Sequence, residues 1–300
     1  MTRGLAERAT VRLAARAKIN LRLQVLAREA STYHQIETVF CALELADDVE
    51  IALGGEALRF EVESPDGIHV PSNSENLAYR AAERFFSAAK LKPGATIRLR
   101  KRIPVGAGLG GGSSDAASTL KGLNLLSREP LSEAQLIELG ADLGADVPFF
   151  LCGSSLALGW GRGQRLLPLT PLPPMAVLLA VPPFPIETRL AYQALSIGNN
   201  VAGGRAHVLH PQRLNSWEAV QQDAVNDFET ALFPKHALLP QLRDALREAG
   251  ASSAMLSGSG STIFGLFALD RAAARAAKRI REQFPAVRTI ETRTVAWTAQ

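Results

Sequence analysis

A cluster of five glycines within twelve residues constrains this chain more than any other feature. Residues 104–115 read PVGAGLGGGSSD, follow a run of alternating apolar and basic residues, and precede a helical pattern. Glycine permits positive φ and close approach of a ligand to the backbone, and a helix N-terminus adds unpaired amide donors. An ordinary turn needs only one or two glycines. The segment therefore predicts a phosphate-binding loop, with Ser113 and Ser114 in the first turn of the helix.

Two common phosphate loops do not fit this segment. A Walker A loop needs a lysine after its last glycine, whereas Ser113 and Ser114 follow directly here. The glycine spacing does satisfy G-x-G-x-x-G, but the dinucleotide fingerprint also needs an acidic residue about 20 positions further on. The nearest acid, Glu129, lies in a predicted turn between helices. The context therefore excludes a Rossmann dinucleotide site.

The hydrophobic periodicity predicts a mixed α+β chain. In the first half, we predict strands at 11–25, 37–45, 49–53, 58–62 and 96–103, and helices at 76–89, 116–126 and 132–143. Ser74 or Glu75 is the expected cap of the first helix, and Ser132 of the third. In the second half, we predict strands at 175–181 and 287–297, helices at 187–195, 217–231, 235–249 and 270–284, and glycine-containing loops at 198–204 and 257–261.

Length and proline distribution predict two domains. A chain of 300 residues is longer than one core usually supports. The prolines at 168–174 and 182–185 form the clearest compositional break. We therefore predict an N-terminal domain over residues 1–167 and a C-terminal domain over residues 168–300.

Composition limits the cellular location and the binding partners that we expect for this chain. The chain has 33 basic and 29 acidic residues, a net charge of +4 that permits nucleic acid without requiring it. Cys41 and Cys152 lie far apart in apolar runs, which disfavours a disulfide framework and favours a reducing, cytoplasmic location. No run approaches the roughly 20 apolar residues of a membrane span, so we expect no membrane association. The histidines lack metal-ligand spacing, and we expect no protein metal site.

Seven segments together resemble the superfamily of galactokinase, homoserine kinase, mevalonate kinase and phosphomevalonate kinase, the GHMP kinases. They are AKINL (17–21), YHQIETVF (33–40), ENL (75–77), the glycine segment, LGADVPFFL (143–151), NDFE (226–229) and LSGSGSTIFGLF (256–267). They occur in the family's order and span nearly the whole chain. The resemblance implies an α+β, two-domain GHMP-kinase-like fold, with an N-terminal ribosomal-S5-domain-2-like part and a C-terminal ferredoxin-like α/β sandwich.

The triple glycine followed by Ser-Ser is most similar to the branch that phosphorylates the 2-hydroxyl of a cytidyl-diphospho polyol, in the non-mevalonate route to isoprenoid precursors. The resemblance implies ATP as co-substrate, with Mg²⁺ accompanying it. It assigns ATP binding to Asn76, Pro104, Val105, Gly106, Ala107, Gly108, Leu109, Gly110, Gly111, Gly112, Ser113 and Ser114.

Lys18 and Asp146 match the superfamily's lysine and aspartate at the phosphoryl acceptor. From the residues alone, Lys18 is either a surface cation or a cation aimed into a cleft, and Asp146 is a helix or turn cap. The resemblance implies that Asp146 accepts the proton of the acceptor hydroxyl. It also implies that Lys18 keeps Asp146 ionised and neutralises charge on the transferred group.

The acceptor is expected to contact a second set of residues. The resemblance assigns polyol contacts to Asn20 and Thr188, and the cytosine to Tyr33, His34 and Tyr192. The family's usual Asp-Gly before Tyr33 is Ser31-Thr32 here, and a usual asparagine after the serine pair is Asp115.

Two alternatives remain open at this point. One is another GHMP small-molecule kinase, of the homoserine or mevalonate type. The other is a non-catalytic nucleotide- or RNA-binding protein on the same scaffold. The favoured hypothesis is a cytoplasmic kinase with ATP and a cytidyl-diphospho polyol as its small-molecule partners, and without nucleic acid. The sequence does not specify an oligomeric state.

Overall fold

The structure, a computed structural model, describes residues 9–29, 34–65, 67–195 and 211–297. The chain divides into two compact units. The first contains the segment ending at Ala17 together with Leu45–Ile103 and Gly111–Cys152. The second contains Lys18–Glu44, Pro104–Gly110 and the rest of the chain from Gly153 onward. Each unit is therefore assembled from segments that are separated in sequence.

In the part that the structure describes, the first unit combines strands with four helices. Strands β1 (Thr10–Arg28) and β2 (His34–Leu53) belong to it in part, and it also contains β3 (Leu58–Glu63), α1 (Leu77–Ala88), β4 (Ala95–Arg100), α2 (Gly111–Leu126), α3 (Glu133–Leu143) and α4 (Val147–Leu151). Strand β4 pairs antiparallel with residues 48–53 of β2 and parallel with β3.

Strand β4 has one apolar and one basic face, as its alternating sequence predicts. Ala95, Ile97 and Leu99 are buried, whereas Arg98 and Arg100 point outward. Arg98 donates to Glu50 of β2 and Glu61 of β3, so the outer face carries ion pairs across three strands. The apolar face packs with α1 and α2 in one core.

The second unit contains a separate four-stranded antiparallel sheet. The elements of the whole unit are β5 (Leu156–Gly161), β6 (Arg165–Pro168), β7 (Ala176–Val181), α5 (Thr188–Ala194), a 3₁₀ turn (Pro211–Leu214), α6 (Trp217–Gln222), α7 (Phe228–Leu232), α8 (Leu238–Glu248), β8 (Ser253–Leu256), β9 (Ile263–Phe267), α9 (Asp270–Gln283) and β10 (Arg288–Arg293). The strand order is β10-β7-β9-β8, the arrangement of a ferredoxin-like sandwich. In this unit β5 also pairs antiparallel with residues 36–41 of β2.

The cores explain why these elements form. Every residue of β7 is buried, so both faces of this strand are covered, and its apolar run fits that position. Helices α8 and α9 contribute one apolar side each to the same core, including Leu242, Leu246 and Ile280. The predicted buried strand and the helices at 187–195, 235–249 and 270–284 are confirmed.

Side chains cap the starts of α1 and α3. Ser132 caps α3 in a capping box with Gln135, as predicted. The cap of α1 is Asn76 rather than Ser74 or Glu75, because its side chain accepts a hydrogen bond from Ala78 N at 2.9 Å. The prediction for that cap was wrong by one or two positions.

Several predicted boundaries differ from the structure. Helix α2 begins at Gly111, before the helical pattern at 116–126, so the end of the glycine segment is already helical. Ser113 and Ser114 lie in the first turn, as predicted. The strands predicted at 37–45 and 49–53 are one strand, β2. The helix predicted at 217–231 is two helices, α6 and α7. Strands β5, β6, β8 and β9 and helix α4 were not predicted, and β4 and β10 end before the predicted residues.

Some predictions fall beyond the described residues. The glycine-containing loop at 198–204 and residue Tyr33 lie outside them, as do Ser31 and Thr32. The predicted boundary near residue 168 remains a prediction. Among the described helices, none is long and apolar enough to cross a bilayer.

Two leucines of α2 provide a matched test of this packing. Leu123 is fully buried, whereas Leu125 on the same helix is 54% exposed. We expect Leu123→Ala to lower the free energy of unfolding by about 2–5 kcal/mol, and Leu125→Ala by less than about 0.5 kcal/mol. Urea denaturation measures both. Equal losses would contradict the assigned face of α2.

Candidate active site

The glycine segment has a regular alternation in its first half. Gly106, Gly108 and Gly110 have φ of 68°, 77° and 72°. The residues between them, Ala107 and Leu109, are buried at 3% and 1% exposure. The glycines therefore supply left-handed backbone, while the intervening side chains anchor the loop in the second unit.

Gly108 lies against a second loop, residues 257–261, between β8 and β9. A Cβ atom at Gly108 would lie 2.2 Å from Ser257 O and 2.9 Å from Gly260 O. No side chain fits this space, because both neighbouring atoms belong to the backbone. The two loops are thus in direct backbone contact.

The carbonyl groups of the glycine segment hold it in place. Ala107 O accepts from Thr262 N at 3.3 Å, Gly108 O from the Ser257 hydroxyl at 3.0 Å, and Leu109 O from Lys18 N at 2.9 Å. In a trans peptide the N–H points opposite to the C=O. The amides of residues 108–110 therefore point away from these partners, as a loop that binds an anion requires.

Lys18 lies beside both loops, and its side chain is 3% exposed. Its ammonium donates to Asn20 Oδ1 at 2.7 Å. Asn20 Nδ2 donates in turn to the Thr38 hydroxyl at 2.7 Å. A Cβ at Gly258 would lie 3.1 Å from Lys18 Nζ and 3.0 Å from Gly108 O. The structure therefore brings Lys18, Asn20 and the two loops together in the second unit.

Asn226 stabilises the second loop through hydrogen bonds to backbone carbonyl groups. Its amide nitrogen donates to Leu256 O at 2.9 Å and to Gly258 O at 2.8 Å, and Oδ1 accepts from Phe228 N at 3.0 Å. The side chain is buried, and these bonds fix the backbone on one side of the loop. We assigned this residue no role from the sequence, although it begins the NDFE segment.

The second half of the glycine segment belongs to the first unit, as the N-terminus of α2. Its amides and the helix dipole favour an anion at residues 111–114. Asn76 lies at the start of α1, next to this helix, and its Nδ2 donates to Pro71 O at 2.8 Å. The structure thus gives Asn76 a capping role, and its predicted contact with ATP remains a prediction.

Asp146 precedes α4 in the first unit. It is half-buried, and its side chain makes no cap hydrogen bond to that helix, so the helix-cap interpretation is not supported. Gly144, two residues earlier, approaches the Ser113 hydroxyl, 3.9 Å from the position of an added Cβ. Asp146 therefore follows a turn that packs against the first turn of α2.

Three of the predicted acceptor residues contact other residues of the site in the second unit. The His34 and Tyr192 rings are stacked, with centroids 4.6 Å apart and planes 17° apart. The Thr188 and Ser259 hydroxyl oxygens are 3.0 Å apart, which joins α5 to the second loop. Tyr33, the other predicted ring, lies outside the described residues.

A buried charged cluster of the first unit also went unrecognised in the sequence. Lys101 donates to Asp115 Oδ2 at 2.6 Å and also to the Asp47 carboxylate. Lys101 continues the alternate positions of the buried residues Ile97, Leu99 and Ile103. This alternation was the sequence signal that could have predicted a buried lysine. Among the described residues, no group of three or more His, Cys, Asp or Glu side chains forms a metal site.

Comparison with known proteins agrees with this geometry. The family described as "GHMP kinases N terminal domain" matches residues 76–154, and "GHMP kinases C terminal" matches residues 212–286. A homoserine kinase structure from Cytophaga hutchinsonii has a TM-score of 0.72 at 19% identity, covering 100% of this chain and 98% of that one. This likeness shows the fold. The two family matches identify the chain as an ATP-dependent small-molecule kinase of the GHMP class.

Nearer relatives define the family within that class. The chain is 41% identical to the 4-diphosphocytidyl-2-C-methyl-D-erythritol kinase of Pelotomaculum thermopropionicum, over 93% of this chain and 98% of that protein. A crystal structure of a 4-(cytidine 5'-diphospho)-2C-methyl-D-erythritol kinase has a TM-score of 0.78 at 35% identity, covering 95% of this chain and 99% of that one. The chain belongs to the 4-diphosphocytidyl-2-C-methyl-D-erythritol kinase family.

The contact between the two loops can be tested with a pair of glycines. Gly108 and Gly67 both have positive φ, but an added Cβ at Gly67 meets nothing within 4 Å. We expect Gly67→Ala to cost about 1–2 kcal/mol of stability through its backbone conformation alone. Gly108→Ala should cost about 1–3 kcal/mol more through overpacking, and should weaken ATP binding. Urea denaturation and titration with an ATP analogue measure these effects, and equal behaviour of the two variants would contradict the contact.

Proposed function

We propose that this protein transfers the γ-phosphoryl group of ATP to the 2-hydroxyl of 4-diphosphocytidyl-2-C-methyl-D-erythritol, in the non-mevalonate route to isoprenoid precursors. The observation that carries the proposal is the convergence of the buried Lys18 ammonium with two glycine loops in the second unit. The relatives named above act on this acceptor by name. A cytoplasmic location is part of the proposal, supported by the free thiols of Cys41 and Cys152.

The phosphates of ATP bind to backbone amides in this proposal. The amides of residues 108–110 and the N-terminus of α2 supply donors without requiring a large positive net charge. Mg²⁺ enters with ATP as part of the co-substrate. Magnesium commonly keeps water and phosphate ligands, so it does not require a cluster of acidic side chains. Among the described residues there is no such cluster.

Two side chains handle the transfer. Asp146 accepts the hydrogen bond of the acceptor hydroxyl. It takes the proton as the hydroxyl oxygen bonds to the γ-phosphorus and the bond from that phosphorus to the bridging oxygen of ADP breaks, which releases ADP. Lys18 neutralises charge that develops on the transferred group. Asn20 orients the Lys18 ammonium, because its amide is itself held by Thr38. The reaction therefore depends on positioned charges rather than on covalent catalysis.

The cytidyl group is recognised at the aromatic pair in this proposal. His34 and Tyr192 present stacked rings, and Tyr192 also contacts Phe228 edge-on with centroids 4.9 Å apart. A pyrimidine base can stack on such a platform while a histidine nitrogen contacts its edge. Thr188 lies at the start of α5, where its hydroxyl can reach the polyol.

Substrate-dependent ADP release tests the proposed function directly. We expect ADP only when the cytidyl-diphospho polyol and ATP are both present. Equal turnover with homoserine or mevalonate would favour another GHMP kinase activity. RNA binding that weakens steeply with salt, without kinase activity, would favour the non-catalytic alternative.

Asp146→Asn tests the proton acceptor. We expect kcat to fall about 10²- to 10⁴-fold while ATP still binds, because an amide cannot take the acceptor proton. Asp142→Asn is the matched control, since Asp142 is an exposed residue of α3 paired with Arg84. Turnover that survives in Asp146→Asn would remove Asp146 from the mechanism.

Tyr192→Leu tests recognition of the base. Loss of one stacking ring should raise the KM for the acceptor about tenfold, with little change in kcat, because the ring contributes equally before and during transfer. Tyr192→Phe keeps the ring and should behave like the natural protein. A loss of kcat at unchanged KM in Tyr192→Leu would argue against a binding role.

A further inference from the structure

Three charged groups are buried together in the first unit, beneath the start of α2. Lys101 is 7% exposed, Asp47 0% and Asp115 2%. Asp47 is held on its other side by the backbone amides of Arg102 and of Ile103, the latter at 2.8 Å. Asp115 Oδ2 accepts from Lys101, but its Oδ1 is buried without a hydrogen-bond partner among the described residues.

The charges of this cluster do not balance when every group is ionised. One ammonium would face two carboxylates, which leaves one buried negative charge. Burial is the largest cause that raises the pKa of Asp115, and the neighbouring Asp47 raises it further. The charge and hydrogen bond of Lys101 lower this pKa, but they do not cancel the rise, and the net pKa is about 8. Burial lowers the pKa of Lys101, but attraction to both carboxylates outweighs it, so Lys101 stays protonated. At neutral pH, one proton on the carboxyl pair makes the cluster neutral.

The cluster lies directly against the helix that the proposed function uses for phosphate binding. A Cβ at Gly111, the first residue of α2, would lie 3.3 Å from Lys101 Nζ. Asp115 lies one turn further along the same helix. The ammonium adds to the positive end of the helix dipole, and an unbalanced carboxylate at this point would oppose it.

We propose that Asp115 is a positioning residue for ATP, which as a neutral carboxylic acid holds the Lys101 ammonium against Gly111 without adding negative charge beneath the phosphates. The proposal rests on the proposed function, because it requires the phosphates at the N-terminus of α2. Loss of the Asp115 proton places a negative charge beneath this terminus. ATP binding then weakens as the pH rises through the titration of Asp115.

Other charged groups around α2 do not account for such a change. Lys101 and Asp47 are the charged groups that affect Asp115. Strand β1 turns Val11 and Leu13 toward Gly122 of α2, so Arg12 and Arg16 lie on its opposite face. The charged residues of α1 and α3 are exposed or half-exposed: Arg80, Glu83, Arg84, Glu133, Glu138 and Asp142. Helix α4 has none.

Lys121 is a further titratable group on α2 itself. Burial lowers its pKa, and its ammonium donates to Phe150 O at 2.7 Å. It lies nearly two turns beyond Asp115, away from the helix N-terminus. Any contribution from Lys121 is retained when Asp115 is replaced, so a variant at Asp115 separates the two groups.

The test is the affinity for a non-hydrolysable ATP analogue with Mg²⁺, measured by calorimetry from pH 7.0 to 9.5. We expect the dissociation constant of the natural protein to rise about fivefold or more. Asp115→Asn keeps the shape but not the titration, so its dissociation constant should change less than about twofold. Asp142→Asn should follow the natural protein. An equal rise in Asp115→Asn, or no rise in the natural protein, would overturn the proposal.

Infrared spectroscopy of the natural protein gives a second readout that does not depend on folding of the variant. A protonated carboxyl stretch should be present at pH 7.0 and should disappear by pH 9.5. Its absence at pH 7.0 would also overturn the proposal. Binding of the analogue needs no acceptor, so an incorrect acceptor leaves this test intact. Failure to bind the analogue at any pH would instead refute the ATP site and, with it, this proposal.

Discussion

The backbone contact between residues 108 and 257–260 is the constraint on which the second unit's site depends. At this contact, carbonyl oxygens occupy the space that a side chain would take, so the loops meet at a separation only glycine allows. The same contact brings Gly258 to the Lys18 ammonium and the Asn20 amide. The conformation of the two loops and the position of the Lys18 ammonium therefore depend on the same contact. Asn226 stabilises this arrangement by fixing the carbonyl of Gly258.

Both units place polar groups in their interiors, and in each case hydrogen bonds compensate for burial. In the second unit a continuous series leads from Lys18 through Asn20 and Thr38 to the carbonyl of Arg22. In the first unit Lys101 joins two carboxylates. Such arrangements contribute little net stability but allow few alternative geometries. Rigid placement of charge is what phosphoryl transfer needs from a protein.

Sequence reasoning located the glycine loop, the fold class and most elements, because each has a strong local signal. It failed where contacts between residues far apart in the sequence determine the local structure. Two strands were predicted at 37–45 and 49–53, yet β2 continues through the residues between them, where Asp47 is paired with Lys101. A single helix was predicted across residue 226, but Asn226 turns its amide to the second loop and Asp227 accepts from Val25 N at 2.7 Å. In both cases contacts with residues far away in sequence determine the local structure.

Strand β7 shows what the order of the strands means for a growing chain. It lies between β9 and β10, and its partner β10 contains the last described strand residues, Arg288–Arg293. A nascent or truncated chain that lacks this segment exposes one edge of β7, six consecutive apolar residues without a polar interruption. Unpaired strand edges of this composition recruit other chains. Strand β10 therefore acts as a cover against self-association, and the second sheet stays vulnerable until residues 288–293 have been synthesised and have paired with β7.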